Sequence, residues 1–100
     1  MSKIYLRHET SLLSAKIKEK ADNLIEEALG KYKDQVSGLR KEWKGNTLVF
    51  LFKVKGFFVS GEVIIEDNLI IVEAKIPLVA APFKRKIEAK FYEKARELFP

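Results

Sequence analysis

The chain has 100 residues, 47% hydrophobic and 33% charged, with a formal net charge of +5 and no cysteine. That length sets one domain, residues 1–100, able to bury ~60–70% of its unfolded surface, and the missing cysteines exclude disulfides, thiolate catalysis and cysteine zinc sites. The charge is mild and interspersed with glutamates, so nucleic acid is not an expected partner; "MSKIYLRHE" lacks an apolar signal core and no apolar run nears the ~18 residues of a membrane span, so the expected location is cytoplasmic.

The first expected element is a short strand. In "KIYLRH", Ile4 and Leu6 alternate with Lys3, Tyr5 and Arg7, the period of a half-buried strand. Thr10 and Ser11 are candidate N-caps for the helix that follows. Leu13, Ile17, Ala21, Leu24, Ile25, Ala28 and Tyr32 recur at spacings of three and four, which makes one apolar stripe on a long amphipathic helix. Gly30 and Gly38 are both candidate stops.

Residues 39–76 read as four strands cut by turns at Gly45–Asn46, Lys55–Gly56 and Asp67–Asn68. Two-residue hairpins there pair Trp43 with Leu48, Leu39 with Phe52, Phe52 with Val59 and Phe50 with Gly61. They also pair Gly61 with Ala74, Val63 with Val72 and Ile65 with Ile70. Three independent turns agree on a single apolar face, and a one-residue slip would break that agreement. Gly61 lies under the Phe50 ring, an arrangement that lets a bulky side chain cover a glycine within a sheet. Phe83, Ile87, Phe91, Ala95 and Leu98 form the stripe of a second helix, with Pro82 in its first turn. The expected fold is α+β, in the order β-α-β-β-β-β-α. It is a curved, helix-grip-like antiparallel sheet of strand order 1-5-4-3-2, with both helices on one face.

Candidate chemistry is sparse. His8 is the only histidine, and beside Glu9 at a strand end it reads as a structural residue. Glu62 and Glu73 face each other across the third hairpin, and opposed carboxylates can act as an acid/base pair. Lys53 and Lys75 share their face, and nothing indicates the enclosed pocket that catalysis requires. No enzyme, cofactor or metal is therefore expected. "KGFFVSGEV" superficially matches the aromatic strand of an RNA-recognition module, but Phe57 and Val59 face inward and the element order differs.

Two surfaces are candidate contacts. The outer sheet face mixes charged residues with Val49, Leu51, Phe58, Ile64 and Ile71, a patch suited to a two-fold homodimer. In "IPLVAAPFKRKIE", two prolines bracket an apolar loop and three cations follow at a helix start, against the macrodipole. Val79, Phe83, Lys84, Arg85 and Lys86 are the candidate partner contacts there. The competing reading buries Leu78 and Phe83 as a lid on the core.

Taken in order, Ile4-Tyr5-Leu6-Arg7-His8, Trp43-Lys44-Gly45-Asn46-Thr47-Leu48-Val49-Phe50, Gly56 through Gly61, and Pro77-Leu78 through Phe83-Lys84-Arg85-Lys86-Ile87-Glu88 carry a resemblance. The chain resembles a small bacterial family described as polyhydroxyalkanoic acid system, or granule-region, proteins. Members share a strand ending near a histidine, an amphipathic helix and a W-x-G-[DN]-x-L-x-F hairpin. A G-x-x-[VG]-x-G strand follows, then a Pro/Leu-rich turn into F-K-x-K-I. The resemblance spans nearly the whole chain and implies a link to polyester storage, without any catalytic residue to carry over. The expected function is a non-enzymatic, dimeric accessory protein of polyester granules, whose partner is the granule surface or a granule protein. The alternative is a carrier of small apolar ligands, with a cavity between sheet and C-terminal helix. Trp43, Phe50, Phe52, Phe57, Phe83 and Phe91 are numerous enough to fill the core solid, which favours the first.

Overall fold

Tight turns dictate the sheet. Lys55 and Gly56 both have positive φ, 50° and 85°, the pattern of the two-residue turn that matches the twist of paired strands. The computed structural model describes residues 2–31 and 33–100, with the side chains of Ala28 and Leu29 excepted. It contains β1 (Ser2–Glu9), α1 (Ser14–Lys31), β2 (Val36–Lys44), β3 (Thr47–Val54), β4 (Phe57–Glu66), β5 (Leu69–Ile76), a 3-10 helix (Leu78–Phe83) and α2 (Lys84–Leu98).

The five strands form one open antiparallel sheet in the order β1-β5-β4-β3-β2. The fold class is α+β, as the patterning predicts. Phe50 pairs with Gly61, Gly61 with Ala74, and Ala74 with Ile4, so one inward row crosses four strands. A Cβ on Gly61 would lie 2.9 Å from the Phe50 Cζ and 2.9 Å from the Ala74 Cα, and against the Glu73 carbonyl oxygen. Only glycine fits that row. β2 begins three residues earlier than Leu39, and Gly38 and Leu39 together oppose Phe52 in a β-bulge. Gly38 takes φ 63°, as the glycine position of such a bulge requires. The extra residue pairs Val36 with Val54.

The helices depart from expectation at their starts. Thr10 and Ser11 do not cap α1. Both hydroxyls donate to the Pro100 carbonyl oxygen, at 2.7 and 2.9 Å, and the Ser14 N–H donates to Asp67 Oδ1 at 2.8 Å. That carboxylate, from the β4–β5 turn, caps the helix from across the chain. The helix therefore begins after Leu13, which is exposed, and Leu12 packs on the core in its place. The Ala28 side chain and Tyr32, expected on the stripe, lie outside the described residues. "PLVAAPF" is not an open loop but the 3-10 helix, and Pro82 lies inside it rather than in α2.

Each helix is tied to a different edge of the sheet. Lys41 of β2 bridges Asp22 and Glu26 of α1, both at 2.9 Å, and Trp43 Nε1 donates to Asp22 at 3.3 Å. On the other edge, the Arg7 N–H of β1 donates to the Tyr92 hydroxyl of α2 at 3.3 Å, which covers an edge strand. Among the described residues the helices meet at one end. There Phe99 is buried with Ile17, Ala21, Ile65 and Ile70, and Lys20 Nζ donates to the Leu98 carbonyl at 3.0 Å. A second cluster joins Ile4, Leu6 and Ile76 to Phe91 and Tyr92. The aromatic residues do not fill the space between the two clusters, which corrects the expectation of a solid core.

Gly61→Val should destabilise by ~1–3 kcal/mol, because two of the three atoms it meets are backbone atoms fixed in the ladder. Ser60→Val, one residue along and facing outward, should stay within ~0.5 kcal/mol of wild type. Urea unfolding of the pair checks this; a more damaging Ser60 change would invert the face assignment.

The Asp22 carboxyl is held below the usual range by hydrogen bonds from Lys41 and Trp43, and the Lys41 ammonium is held above its usual range, chiefly by Glu26. The Asp22 contribution is present at neutral pH and is lost as pH falls below about 4. The Lys41 contribution is present below its ordinary pKa and is lost as pH rises through the raised one. Asp22→Asn should flatten the acid-side loss in thermal melts, at a cost of about 1 kcal/mol at pH 7 for a part-buried pair whose carboxylate is 42% exposed.

Candidate functional site

The burial of α2 falls along its own stripe. Ala95 is 2% exposed, Ile87 38% and, one turn before, Phe83 57%. The periodicity is uniform, but the helix covers the sheet only at its C-terminal end. α1, held to the β2 edge, does not close the gap. The result is an apolar cleft of about 850 Å³ between the two helices. Phe50, Phe52, Val59, Val63, Val72 and Ala74 form its floor on β3, β4 and β5. Leu24 and Ile25 of α1 wall one side, and Ile87 and Phe91 of α2 the other. Ala74 is the small residue of that floor, and the Phe50 ring lies over Gly61 beside it.

The cleft opens at the end where the helices diverge. Its mouth is rimmed by Leu39, Phe57, Val79, Phe83 and Ile87, each more than a third exposed. Gln35 and Lys55 also line the mouth and are the only polar side chains among its described lining residues. The Lys55 N–H donates to the Gln35 carbonyl at 3.1 Å, which holds the β3–β4 turn beside the start of β2.

The sequence-expected contact residues fall into two groups. Val79 and Phe83 belong to the rim, and Leu78 beside them is 69% exposed rather than buried as a lid. Lys84 is half-buried at the first turn of α2, and Arg85 and Lys86 are exposed. Among the described residues none of these three cations has an ion-pair partner. On the outer sheet face, Val49, Leu51, Ile64 and Ile71 are half-buried in neighbouring rows, and Phe58 is exposed under the Lys53 ammonium, 4.8 Å from its ring centre. Large exposed apolar side chains thus concentrate at the cleft mouth, not on the outer face.

Glu62 and Glu73 do pair across β4 and β5. They border a shallow outer depression of about 410 Å³ above Gly61, together with Lys3, Tyr5 and Lys75. Both carboxylates are exposed, so the depression lacks the dry enclosure that raises a catalytic carboxyl. His8 Nε2 donates to the Phe99 carbonyl at 2.7 Å, which makes it a tie on the closed end of the cleft. Among the described residues no three His, Asp or Glu side chains are grouped to hold a metal, and no helix is long and apolar enough to cross a membrane.

Leu39, Phe52, Phe57 and Ile87 are parts of the site that sequence reasoning assigned to the core. The available signal was an excess of inward aromatics over what two short helices can cover. No curated protein and no solved structure matches the chain. The family model described as "Putative polyhydroxyalkanoic acid system protein" matches residues 4–99. With the strand order, the paired glycines and the Pro/Leu segment all in their places, the chain belongs to that polyhydroxyalkanoic acid system family.

Proposed function

We propose that the protein is a non-enzymatic accessory protein of the polyhydroxyalkanoic acid system, working in the cytoplasm and docking on apolar polyester surface through the cleft rim. The observation that carries this reading is the run of exposed apolar residues on one end of the molecule, with Leu78 at 69%, Val79 at 62% and Phe83 at 57%. Such a contiguous patch on a folded domain is the usual mark of an interaction surface. Pro77 precedes the patch and Pro82 lies within it, and both limit the entropy lost when it docks. Lys84, Arg85 and Lys86 stand immediately behind it. Cations at a helix start oppose the macrodipole, so contact with an anionic coat explains them better than helix stability does. The outer face, with Val49, Leu51, Phe58, Ile64 and Ile71, is the surface for any two-fold association within the same reading.

Pelleting on isolated polyester granules, with thermal melts in parallel, tests the proposal. Val79→Asp should reduce the pelleted fraction severalfold without lowering the melting temperature. Changing Lys84, Arg85 and Lys86 together to Gln should weaken pelleting and leave stability equal or higher by ~0.3–1 kcal/mol. Salt should reproduce the loss caused by the triple change more fully than that caused by Val79→Asp. A triple variant that melts markedly earlier and pellets normally would make the segment a structural closure and end this reading.

A further inference from the structure

We infer that the interior of the cleft is a binding site for a single-chain amphiphile with an anionic head, and that Lys55 receives the head. The volume of about 850 Å³ is within the ~300–1,000 Å³ of ordinary small-ligand sites. Its polarity is sharply divided. The floor and side walls are hydrocarbon and aromatic, from Ile70 and Val72 at the closed end through Phe50 and Phe52 to Val54 and Phe57 at the open end. Nothing among the described lining residues there offers a hydrogen bond to a polar middle. The polar groups are Lys55 and Gln35, both at the mouth and both exposed. A ligand that matches this must be apolar along its length and polar at one end only.

Charge decides the sign of the head. Lys55 has no ion-pair partner among the described residues, and Gln35 can donate through its amide. An anionic carboxylate or phosphate satisfies both, whereas a cationic head meets the ammonium at close range. The turn fixes the Lys55 backbone at the mouth and leaves its exposed side chain free to reach a head group. Lys55 takes φ 50° in the β3–β4 turn, a conformation that costs a non-glycine residue energy, where asparagine or glycine is the usual occupant. A lysine there is not explained by the turn, and a head-group contact explains it. The head-group site shares the cleft mouth with the docking rim, since Lys55, Val79 and Phe83 line the same opening, but it differs in what it recognises: an anionic head rather than an apolar surface.

The test uses the full chain and titrates dodecanoate, dodecanol and dodecyltrimethylammonium below their aggregation limits, by calorimetry. Dodecanoate should bind with one-to-one stoichiometry and outcompete the other two. Lys55→Gln removes the charge but keeps a polar side chain only one atom shorter, and should weaken dodecanoate about three- to tenfold, the effect of one charge-assisted contact at an exposed site, while leaving dodecanol unchanged. Val59→Trp fills the floor and should abolish binding of all three; circular dichroism confirms that it folds. Should Val59→Trp unfold, Ala74→Phe serves the same purpose from the neighbouring strand. Equal affinity for all three heads, or an unchanged Lys55→Gln, would overturn the assignment of the head. Binding only to phosphatidylglycerol vesicles, with no uptake of free dodecanoate, would make the occupant a bilayer surface and overturn the proposal. A wild-type dimer by light scattering that dodecanoate neither enters nor dissociates would make it a second copy of the chain, with the same consequence.

Discussion

The two helices are pinned together at one end and nowhere else described, and the shape of the site follows from that pin. Phe99 is buried against Ile17 and Ala21 of α1, its carbonyl accepts from His8, and Lys20 reaches the Leu98 carbonyl. From there α1 runs along the β2 edge, held by Lys41 and Trp43, and α2 runs along the β1 edge, held by Tyr92. Two rods joined at one end and held to opposite edges of a sheet must uncover its middle. The uncovered middle is the apolar floor. Every one of these ties costs polar groups their water, and each is compensated by a partner: among the described residues no buried side-chain polar atom is left unsatisfied.

The floor depends on a second constraint, the Phe50–Gly61–Ala74–Ile4 row. Its register assigns each strand one inward face, and the glycine permits the Phe50 ring to fold over the strand instead of standing into the cleft. The same inward-facing residues therefore do two jobs. Ile65 and Ile70 are buried under the pinned ends, while Val72, one inward row away, and Phe52 and Val59, three rows away, remain as half-buried lining. A domain of this size can leave such surface open because the closed end and the Ile4–Leu6–Ile76 cluster already supply a core. The apolar area left open is the feature on which the proposed docking rests.

The sheet was legible in the sequence because period-two alternation and turn residues act locally. Val63 against Val72 and Ile65 against Ile70 follow from Asp67–Asn68 alone. Strand order was legible because the apolar face had to be continuous. The bulge at Gly38 was not, since glycine after a helix reads equally as a stop. Leu12 and Leu13 could not be ranked either, because the cap that sets the helix start comes from Asp67, far along the chain. The cleft was the least legible feature. Phe83, Ile87, Phe91 and Ala95 are equivalent by spacing, yet Phe83 falls in the 3-10 helix and exposure drops along α2 from Ile87 to Ala95. That drop is set by long-range ties such as Tyr92 to β1, which no periodicity encodes. The exposed setting of Val79 and Phe83 depends on them in the same way.

The inner sheet face walls unfilled apolar space, and the stability of Ala74→Leu reports on that space. Ala74 points into the cleft from the middle of the floor. If the space is unfilled, the larger side chain enters it without strain, and urea unfolding should show stability unchanged or raised by up to ~1 kcal/mol from the added burial. If the core is packed solid, the same change overpacks it and should cost ~1–3 kcal/mol, a result that would contradict the account.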